Sequence, residues 1–484
     1  MKVLLVNAWS RYVKQAPVIP LGLLSIATYL SKNGYTVKIL DRAIDNSSLS
    51  KCMMNYKPDF VGVSAMSFRS FKDAIKISKA AKKQSIPVVW GGSTVSLVPE
   101  VVLKTGVVDF VAMGEGEVTM LALLEAYTKN SPICDVDGVS FINAGQIVVN
   151  KDRELADLAD FPVIDFSFVD PARYFVKYIG CEKMLFIYSS KGCVGHCTFC
   201  YNPAFSRCKW RPRPPEHYLS EIKYLAENFG LDGVTFADDL LSPNREFLQK
   251  FCNDIQQSGI DFVWGCEFRA DTCEREDIQL LYDSGCRWIF FGIESGSPER
   301  QKFLRKGINL EKAKKTVQYC KEIGIVSSAS FMIGMPGETS DELLLTINYM
   351  RELNVDFRIA SIFGPLPGSE IYRNLVNEGK LNAPETYEDW LKIKWMDSVG
   401  YNFSHIPDIE LRVVSSYLML AIFNNKAESR IWAQKAISNT LQKLKKISFK
   451  SLILFFVSVK EFLGIVFYAT MFPKIRKKYG LTKK

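Results

Sequence analysis

Three cysteines are the residues of this sequence whose type and spacing most directly predict chemistry. Cys193, Cys197 and Cys200 lie in the run KGCVGHCTFCYNP, with the spacing Cys-x3-Cys-x2-Cys. Three thiolates on one short loop can bind three irons of a [4Fe–4S] cube. The fourth iron then lacks a protein ligand, so that a small molecule can coordinate it. We therefore predict that these three cysteines are metal ligands of a redox site.

A structural zinc site is the alternative interpretation of the same cysteines. His196 or Cys208 could supply the fourth ligand of a tetrahedral zinc ion. Zinc sites, however, usually pair two ligand couplets across a longer loop, and this sequence has no second couplet. The single triplet follows a predicted strand, which favours the cluster.

The composition is that of an ordinary globular protein long enough for two or three domains. Of the 484 residues, 48% are hydrophobic and 23% are charged. The opening MKVLLVNAW predicts a buried strand rather than an export signal. The twelve cysteines form no paired couplets, so we expect a reducing, cytoplasmic setting rather than a disulfide framework.

Residues 1–130 alternate short apolar runs with amphipathic stretches, which predicts an α/β domain with a doubly wound parallel sheet. The predicted strands are Val3–Asn7, Thr36–Leu40, Phe60–Ser64, Val88–Gly91 and Phe110–Met113, and two predicted helices are Leu21–Lys32 and Lys72–Lys83. Such sheets bind ligands beyond the carboxyl ends of their strands. A flavodoxin-like or nucleotide-binding sheet would also fit, because glycine after a strand is a weak signal by itself.

Residues 131–180 are a predicted connector with a hairpin near Asn143–Gly145. Six further strands are predicted at Leu185–Ser189, Gly233–Ala237, Phe262–Phe268, Trp288–Glu294, Ser328–Ile333 and Arg358–Phe363. Six βα units within residues 181–385 predict an open, incomplete (β/α)6 barrel. Reactive groups collect at the carboxyl ends of strands in such barrels.

The cysteine run and the motifs FADDLL, FGIESGS and FMIGMPGET resemble the radical S-adenosylmethionine (radical SAM) superfamily. The resemblance implies that S-adenosylmethionine (SAM) chelates the open iron and is cleaved reductively to a 5′-deoxyadenosyl radical. That radical would remove hydrogen from a substrate carbon that no general base could deprotonate. The resemblance also implies a one-electron donor such as a flavodoxin or ferredoxin.

The same resemblance assigns SAM contacts to residues at the strand ends. Asp238 or Asp239 lies where the family binds the methionine amino group. Glu294 and Ser295 lie where it binds the ribose hydroxyls. Arg269 is a candidate partner for the methionine carboxylate, because a guanidinium fork matches that geometry. The remaining implied contacts are apolar, with Phe199 against the adenine and Ile333 and Met335 as a floor.

The basic, proline-rich run Arg211–His217 follows the cysteines. It could cover the cluster or meet an acidic group. Its prolines, Pro214 or Pro215, could equally begin a helix. The sequence favours neither interpretation.

The first predicted sheet resembles the cobalamin-binding domain that precedes many radical SAM domains. The likeness lies in PLGLLSIATYL, VGVSAM, WGGSTVSLVPE and MGEGEVT, and Ser64, Gly91 and Gly92 match the serine-containing motif and the glycine pair of that family. Residues 7–22 contain no histidine, so the Asp-x-His-x-x-Gly motif of other cobalamin proteins is missing. The resemblance therefore implies a base-off cobalamin without a protein histidine ligand.

Over residues 1–385 the chain thus resembles cobalamin-dependent radical SAM enzymes, which include methylases of unactivated carbon and phosphorus and an oxidative cyclase of tetrapyrroles. The resemblance implies that cobalt carries a methyl group from a second SAM to the substrate radical. No proton-transfer residue is required, so no further catalytic residue is assigned. Two alternatives stay open: a cyclisation, ring contraction or oxidation without net methyl transfer, and a non-catalytic carrier or sensor.

Residues 386–484 are predicted to be a helical region with a basic, amphipathic tail. Residues 426–484 hold 14 Lys and Arg against two acidic residues, which leaves 47 basic and 50 acidic residues elsewhere. The run 450–472 is nearly continuously apolar, but Lys460 and Glu461 disfavour a spanning helix. We predict a helix at the membrane surface, with packing on the barrel as the alternative. A lipid-like or tetrapyrrole substrate would suit it, whereas the tail lacks an RNA-binding pattern and no nucleic acid is expected.

We predict that Cys197→Ala abolishes reductive cleavage of SAM, because the cube loses one of its three anchors. Cys208→Ala is the matched control and should leave cleavage largely intact. The measurement is the 5′-deoxyadenosine formed by the anaerobically reduced protein. An equal loss of this product in both variants would show that the ligand assignment is wrong.

Overall fold

Two seven-stranded sheets organise the chain. The computed structural model describes residues 1–9, 16–45, 47–392, 402–420, 473–479 and 481. These residues belong to two compact units, a first unit of 1–264 with 365–393 and a second unit of 265–364 with 394–484. The finer division at residues 130, 180 and 385 stays a prediction.

The first sheet is parallel over its first five strands, as the apolar runs predict. Its strands are β1 (Lys2–Asn7), β2 (Thr36–Asp41), β3 (Phe60–Ser64), β4 (Val88–Gly91), β5 (Phe110–Ala112), β6 (Val139–Asn143) and β7 (Gln146–Val149). They lie in the order β2-β1-β3-β4-β5-β6-β7. Val3, Leu4 and Val6 on β1 are fully buried, because helices cover both faces of a parallel sheet.

The helices of this sheet follow the amphipathic stretches between the strands. They are α1 (Leu21–Lys32), α2 (Leu49–Tyr56), α3 (Phe68–Lys82), α4 (Ser93–Ser96), α5 (Pro99–Leu103) and α6 (Gly116–Lys129). Helix α1 has the predicted bounds. Helix α3 begins four residues before the predicted Lys72, because Phe68 and Phe71 are buried and belong to its apolar face.

The predicted hairpin forms, but it is more than a connector. Ala144 and Gly145 both have positive φ, which the tight turn between β6 and β7 requires. Strand β6 pairs antiparallel with β5 and so extends the first sheet. The following irregular segment is fastened to that sheet by the Tyr174 hydroxyl, which donates to Asp41 at 2.8 Å.

The second sheet contains all six strands predicted for the barrel, in sequence order. Its order is β16-β15-β14-β13-β12-β9-β8. The strands are β8 (Val176–Tyr178), β9 (Cys181–Ile187), β12 (Gly233–Phe236), β13 (Val263–Phe268), β14 (Cys286–Glu294), β15 (Val326–Ile333) and β16 (Phe357–Ile362). A separate two-stranded ribbon consists of β10 (Ser190–Lys191) and β11 (Arg211–Pro212). The predicted α/β class, a doubly wound sheet followed by an open half-barrel, is confirmed.

Helices alternate with these strands and continue after them. They are α7 (Asn202–Phe205), α8 (Pro215–Phe229), α9 (Arg245–Gln257), α10 (Arg275–Asp283), α11 (Pro298–Phe303), α12 (Leu310–Ile323), α13 (Ser340–Glu352), α14 (Glu370–Asn377), α15 (Tyr387–Lys392), α16 (Asp408–Leu420) and α17 (Pro473–Lys478). Asn244, Asn309 and Thr339 begin three of them, because each side chain accepts a backbone N–H three residues later.

The end of the chain packs into the second unit. Tyr479 and Leu481 are buried in an apolar cluster with Ile362 of β16 and Leu411 of α16. The Tyr479 hydroxyl and Lys478 Nζ each lie 2.8 Å from Glu410 Oε2. The predicted apolar run 450–472 lies outside the described residues. In the part of the chain that the structure describes, no helix has the length and apolar character needed to span a bilayer.

Candidate active site

An open cleft with a cavity volume of about 360 Å³ lies at the carboxyl edge of the first sheet, within the first unit. One wall consists of the ends of β3 and β4 and the starts of α1 and α6. The other wall consists of the base of the cysteine loop and the end of β12. Most of the lining surface is apolar. The lining includes Ser64, Gly91, Gly92, Lys191 and Asp239.

The three predicted cobalamin-binding residues all line this cleft. Ser64 and Gly91 are register partners at the ends of β3 and β4. Gly92 has a φ of 113°, which L side chains rarely adopt, and a Cβ there would lie 3.2 Å from Met66 Sδ. At Gly91 an added Cβ would meet no protein atom closer than 3.7 Å. Packing within the protein therefore does not require glycine at position 91. The space left by the absent side chain would suit a ligand that lies against the edge of the sheet.

The cysteine loop runs from β10 to α7 and leaves all three thiols partly buried. The Gly195 N–H donates to Cys193 Sγ at 3.3 Å, and the Asn202 N–H donates to Cys200 Sγ at 3.4 Å. Burial raises the pKa of Cys200 to about 11, and the nearby thiols of Cys197 and Cys193 add to the rise. A bound metal reverses this effect, because it deprotonates a coordinating thiol. Three partly buried thiols on one loop, two of which accept backbone N–H groups, therefore fit an iron–sulfur cluster.

Among the described residues, no three His, Cys, Asp or Glu side chains are arranged to surround one metal ion. The two candidate fourth zinc ligands lie together, with Cys208 Sγ 3.2 Å from His196 Nδ1.

Two adjacent aspartates at the end of β12 have different surroundings, although the sequence could not separate them. Asp238 is buried and accepts the N–H groups of Ser189 and Ser190 at 2.8 and 2.9 Å. It also accepts the Ser189 hydroxyl at 2.5 Å. Asp239 lines the cleft and accepts the Gly192 N–H at 3.2 Å. Asp238 thus fastens the start of the cysteine loop, and Asp239 is the one whose carboxylate reaches the cleft.

The segment after β16 returns to the first unit and supports the cysteine loop. The Ile371 N–H donates to the Thr198 carbonyl at 3.0 Å, next to the partly buried Phe199. A Cβ on Gly368 would lie 2.7 Å from Leu97 and 3.3 Å from Ala204. The loop after β16 therefore packs closely against Leu97 and against α7.

Three other predicted SAM contacts lie in the second unit and have protein partners there. Glu294 has a φ of 70° and forms an ion pair with Lys306 at 2.7 Å. Such left-handed backbone costs about 1–3 kcal/mol in a non-glycine residue and often marks a functional site. Ser295 is fully buried, and its hydroxyl lies 2.9 Å from the Thr346 hydroxyl. The Arg269 fork bonds both oxygens of Asp271 at 3.2 Å.

The two residues of the predicted apolar floor are also buried in the second unit. Ile333 and Met335 are both 0% exposed, and Ile333 belongs to the cluster that holds Leu411. Glu338 accepts the N–H groups of Gly334 and Met335 at 2.6 and 3.1 Å. Burial raises the pKa of Glu338 to about 7. Glu338 therefore shapes the GMPGE turn.

Sequence reasoning missed two ion pairs at the base of the cysteine loop. Lys191 pairs with Glu117 at 2.8 Å, and Arg211 pairs with both carboxylate oxygens of Glu115. The available signals were the position of Lys191 beside the cysteines and the two glutamates of MGEGEVT. Both interpretations of the run 211–217 hold, because Arg211 meets an acidic group and Pro215 begins α8.

Comparison with known proteins agrees with this arrangement. Residues 187–350 match the Radical SAM superfamily, and residues 14–124 match the B12 binding domain. An uncharacterized methyltransferase of Pyrococcus horikoshii is 27% identical over 387 residues, or 78% of this chain and 82% of that protein. An anaerobic magnesium-protoporphyrin IX monomethyl ester cyclase of Rubrivivax gelatinosus is 25% identical, over 83% of this chain and 73% of its own length.

A solved structure shares the fold. It is the radical SAM methyltransferase TsrM of Kitasatospora setae, with cobalamin and a [4Fe–4S] cluster bound. The TM-score is 0.67 at 19% identity, and the match covers 79% of this chain and 76% of that one.

We predict that Asp238→Asn becomes more stable relative to the unchanged protein as the pH rises from 5 to 8. Burial raises the pKa of Asp238 from its ordinary 3.8 to about 7, against the hydrogen bonds that lower it. Between these values the folded protein keeps a proton that the unfolded chain releases, so stability falls as the pH rises. Asparagine can keep the contacts to Ser189 and Ser190 without this loss.

The measurement is the difference in Tm between the variant and the unchanged protein across that pH range. Asp261→Asn, at an exposed position, is the control and should give a flat difference. A difference for Asp238→Asn that shrinks as the pH rises would contradict the prediction.

Proposed function

Because this chain belongs to the cobalamin-dependent radical SAM enzymes, we propose that it methylates an unactivated carbon of an apolar substrate. The observation that carries the proposal is the single cleft that Ser64 and Gly91 line on one wall and Gly192 and Asp239 line on the other. When bound, a [4Fe–4S] cluster supplies an electron to SAM, and cobalamin carries a methyl group. The protein itself must bind and orient these partners and exclude water.

In this proposal Cys193, Cys197 and Cys200 hold the cluster. Asp239 accepts the methionine amino group of SAM, because its carboxylate faces the cleft, whereas Asp238 positions the loop. A flavodoxin or ferredoxin is the proposed electron donor. The motifs alone support the remaining SAM contacts, which are Phe199, Arg269, Glu294, Ser295, Ile333 and Met335.

Cobalamin is proposed to bind base-off and without a histidine ligand. The chain has three histidines, His196, His217 and His405, and none of them belongs to the lining of the cleft that the structure describes. The wall at Ser64, Gly91 and Gly92 offers no imidazole either. A cobalamin bound against this wall would therefore find no histidine in the described lining to ligate its cobalt.

The proposed substrate is lipid-like or a tetrapyrrole. The mainly apolar lining of the cleft supports this class, because apolar surface favours apolar ligands. The cyclase relative is named for a magnesium-protoporphyrin ester, which supports a tetrapyrrole and also keeps cyclisation as the second candidate reaction.

The test is product analysis of the anaerobically reduced protein with SAM and cobalamin. We expect both 5′-deoxyadenosine and S-adenosylhomocysteine, because SAM has two roles. Gly91→Val fills the cleft wall and should suppress S-adenosylhomocysteine while 5′-deoxyadenosine persists. If S-adenosylhomocysteine is absent from the unchanged protein, the methyl transfer is wrong and cyclisation is favoured. If 5′-deoxyadenosine is also absent, the chain is a carrier or sensor.

Membrane attachment is a separate proposal that rests on the sequence of the run 450–472. Deletion of residues 448–484 would also remove Tyr479 and Leu481 from the second unit, so a point change is the cleaner test. We expect Phe456→Glu to lower co-sedimentation with anionic liposomes several-fold, because a charge disfavours insertion of an apolar face. Lys477→Gln, on the exposed side of α17, is the control for lost charge. Unchanged sedimentation of Phe456→Glu would remove the membrane proposal.

A further inference from the structure

The cysteine loop follows β10, and the chain returns after α7 to pair β11 with β10 in one ribbon. Lys191 and Arg211 are directly opposite each other across this ribbon. Each of them bonds one of the two glutamates that flank Gly116 at the start of α6. The Lys191 Nζ lies 2.8 Å from Glu117, and the Arg211 fork takes both oxygens of Glu115. Two cations that face each other across the ribbon therefore form ion pairs with two neighbouring carboxylates. We name these four residues, Lys191, Arg211, Glu115 and Glu117, the ion-pair clamp.

The clamp differs from the exposed ion pairs of the chain in its burial. The Glu117 side chain is 3% exposed, those of Glu115 and Arg211 are 14% and 15% exposed, and that of Lys191 is 24% exposed. Glu117 also accepts the Ser25 hydroxyl of α1 at 2.6 Å. Buried pairs recover little net stability over apolar residues of similar size, and in some proteins they specify which surfaces meet. One buried and three partly buried charges in two adjacent pairs are consistent with such a positioning role.

The clamp acts close to the cysteines. Lys191 is separated from Cys193 only by Gly192, whose φ is 86°. A Cβ on Gly192 would collide with the Lys209 carbonyl and crowd Ser206. The loop therefore has little freedom at this point to absorb a movement of Lys191. A shift of Lys191 relative to Glu117 must be passed on to Cys193.

We propose that the ion-pair clamp fixes the cysteine loop against the cobalamin side of the cleft and thereby sets the separation of the two cofactors. The inference rests on the proposed function in requiring that the cluster and cobalamin both bind at this cleft. Glu115 immediately precedes α6 and Glu117 lies in its first turn, next to the wall of Ser64 and Gly91, and both glutamates line the cleft. The four residues are positioning residues, because they act through the loop. The rate of a transfer between two bound groups is sensitive to displacements of about 1 Å. A loosened clamp should therefore slow methyl transfer.

The experiment measures the distance between the reduced cluster and Co(II) cobalamin in the holoenzyme by pulsed dipolar EPR. Lys191→Met combined with Glu117→Gln removes one pair without leaving a buried charge. Because Lys191 and Glu117 also line the cleft, iron and cobalamin are quantified first, and the distance is measured on protein that carries both cofactors. The distance distribution should broaden at least twofold, and the yield of S-adenosylhomocysteine per 5′-deoxyadenosine should fall about tenfold, since a 1 Å misplacement can cost as much as a hundredfold.

Lys82→Met is the matched control, because Lys82 forms an exposed pair with Asp109 in the same unit. It should leave the distance distribution unchanged. Lys191→Arg keeps the charge and serves if the double variant fails to fold. The proposal expects it to retain a single distance peak that is shifted or moderately broadened.

A distribution identical to that of the unchanged protein in the double variant, or in Lys191→Arg, overturns the clamp. Equal broadening in Lys82→Met overturns it as well, because the effect would then not be specific to these residues. The distance measurement does not depend on methyl transfer. A narrow distance distribution in an unchanged protein that forms no S-adenosylhomocysteine would therefore contradict the proposed methylation but not the proposed clamp.

Discussion

The proposed binding of one iron–sulfur cluster by three cysteines of one loop is the constraint on which the rest of the account depends. A four-iron cube with three protein thiolates has one iron free to bind a substrate, so the surroundings must hold the loop still without adding a fourth ligand. Asp238 provides part of that hold by accepting three hydrogen bonds from Ser189 and Ser190. The ribbon of β10 and β11 also holds the loop, as does the hydrogen bond from the Ile371 N–H to the Thr198 carbonyl.

Buried charged side chains around the loop are paired with side chains of opposite charge. Arg213 and Glu221 form a pair with side chains only 3% and 0% exposed, and Arg213 also donates to the Tyr188 carbonyl at 2.8 Å. Breaking a buried pair on one side costs about 3–5 kcal/mol. Such pairs suit a site that must be rigid and shielded from water, and they leave the cleft walls free to be apolar.

Much of the fold could be predicted, because strands and helices leave local periodic patterns. Phe60–Ser64 and Leu21–Lys32 formed with the predicted bounds. The pairing of β6 with β5 could not be predicted, because alternation identifies a strand but not its neighbour. The ion pairs of Lys191 and Arg211 join residues 74 and 96 positions apart, beyond the reach of any local pattern. Asp238 and Asp239 are adjacent and chemically equal, so only burial could assign them different roles.

The most direct test of the central claim is 57Fe Mössbauer spectroscopy of the anaerobically reconstituted protein, with and without SAM. The account predicts about four irons per chain and a change at one of them when SAM is added, because the other three are held by cysteine. A spectrum that SAM leaves unchanged, or a protein whose metal is zinc, would contradict the account.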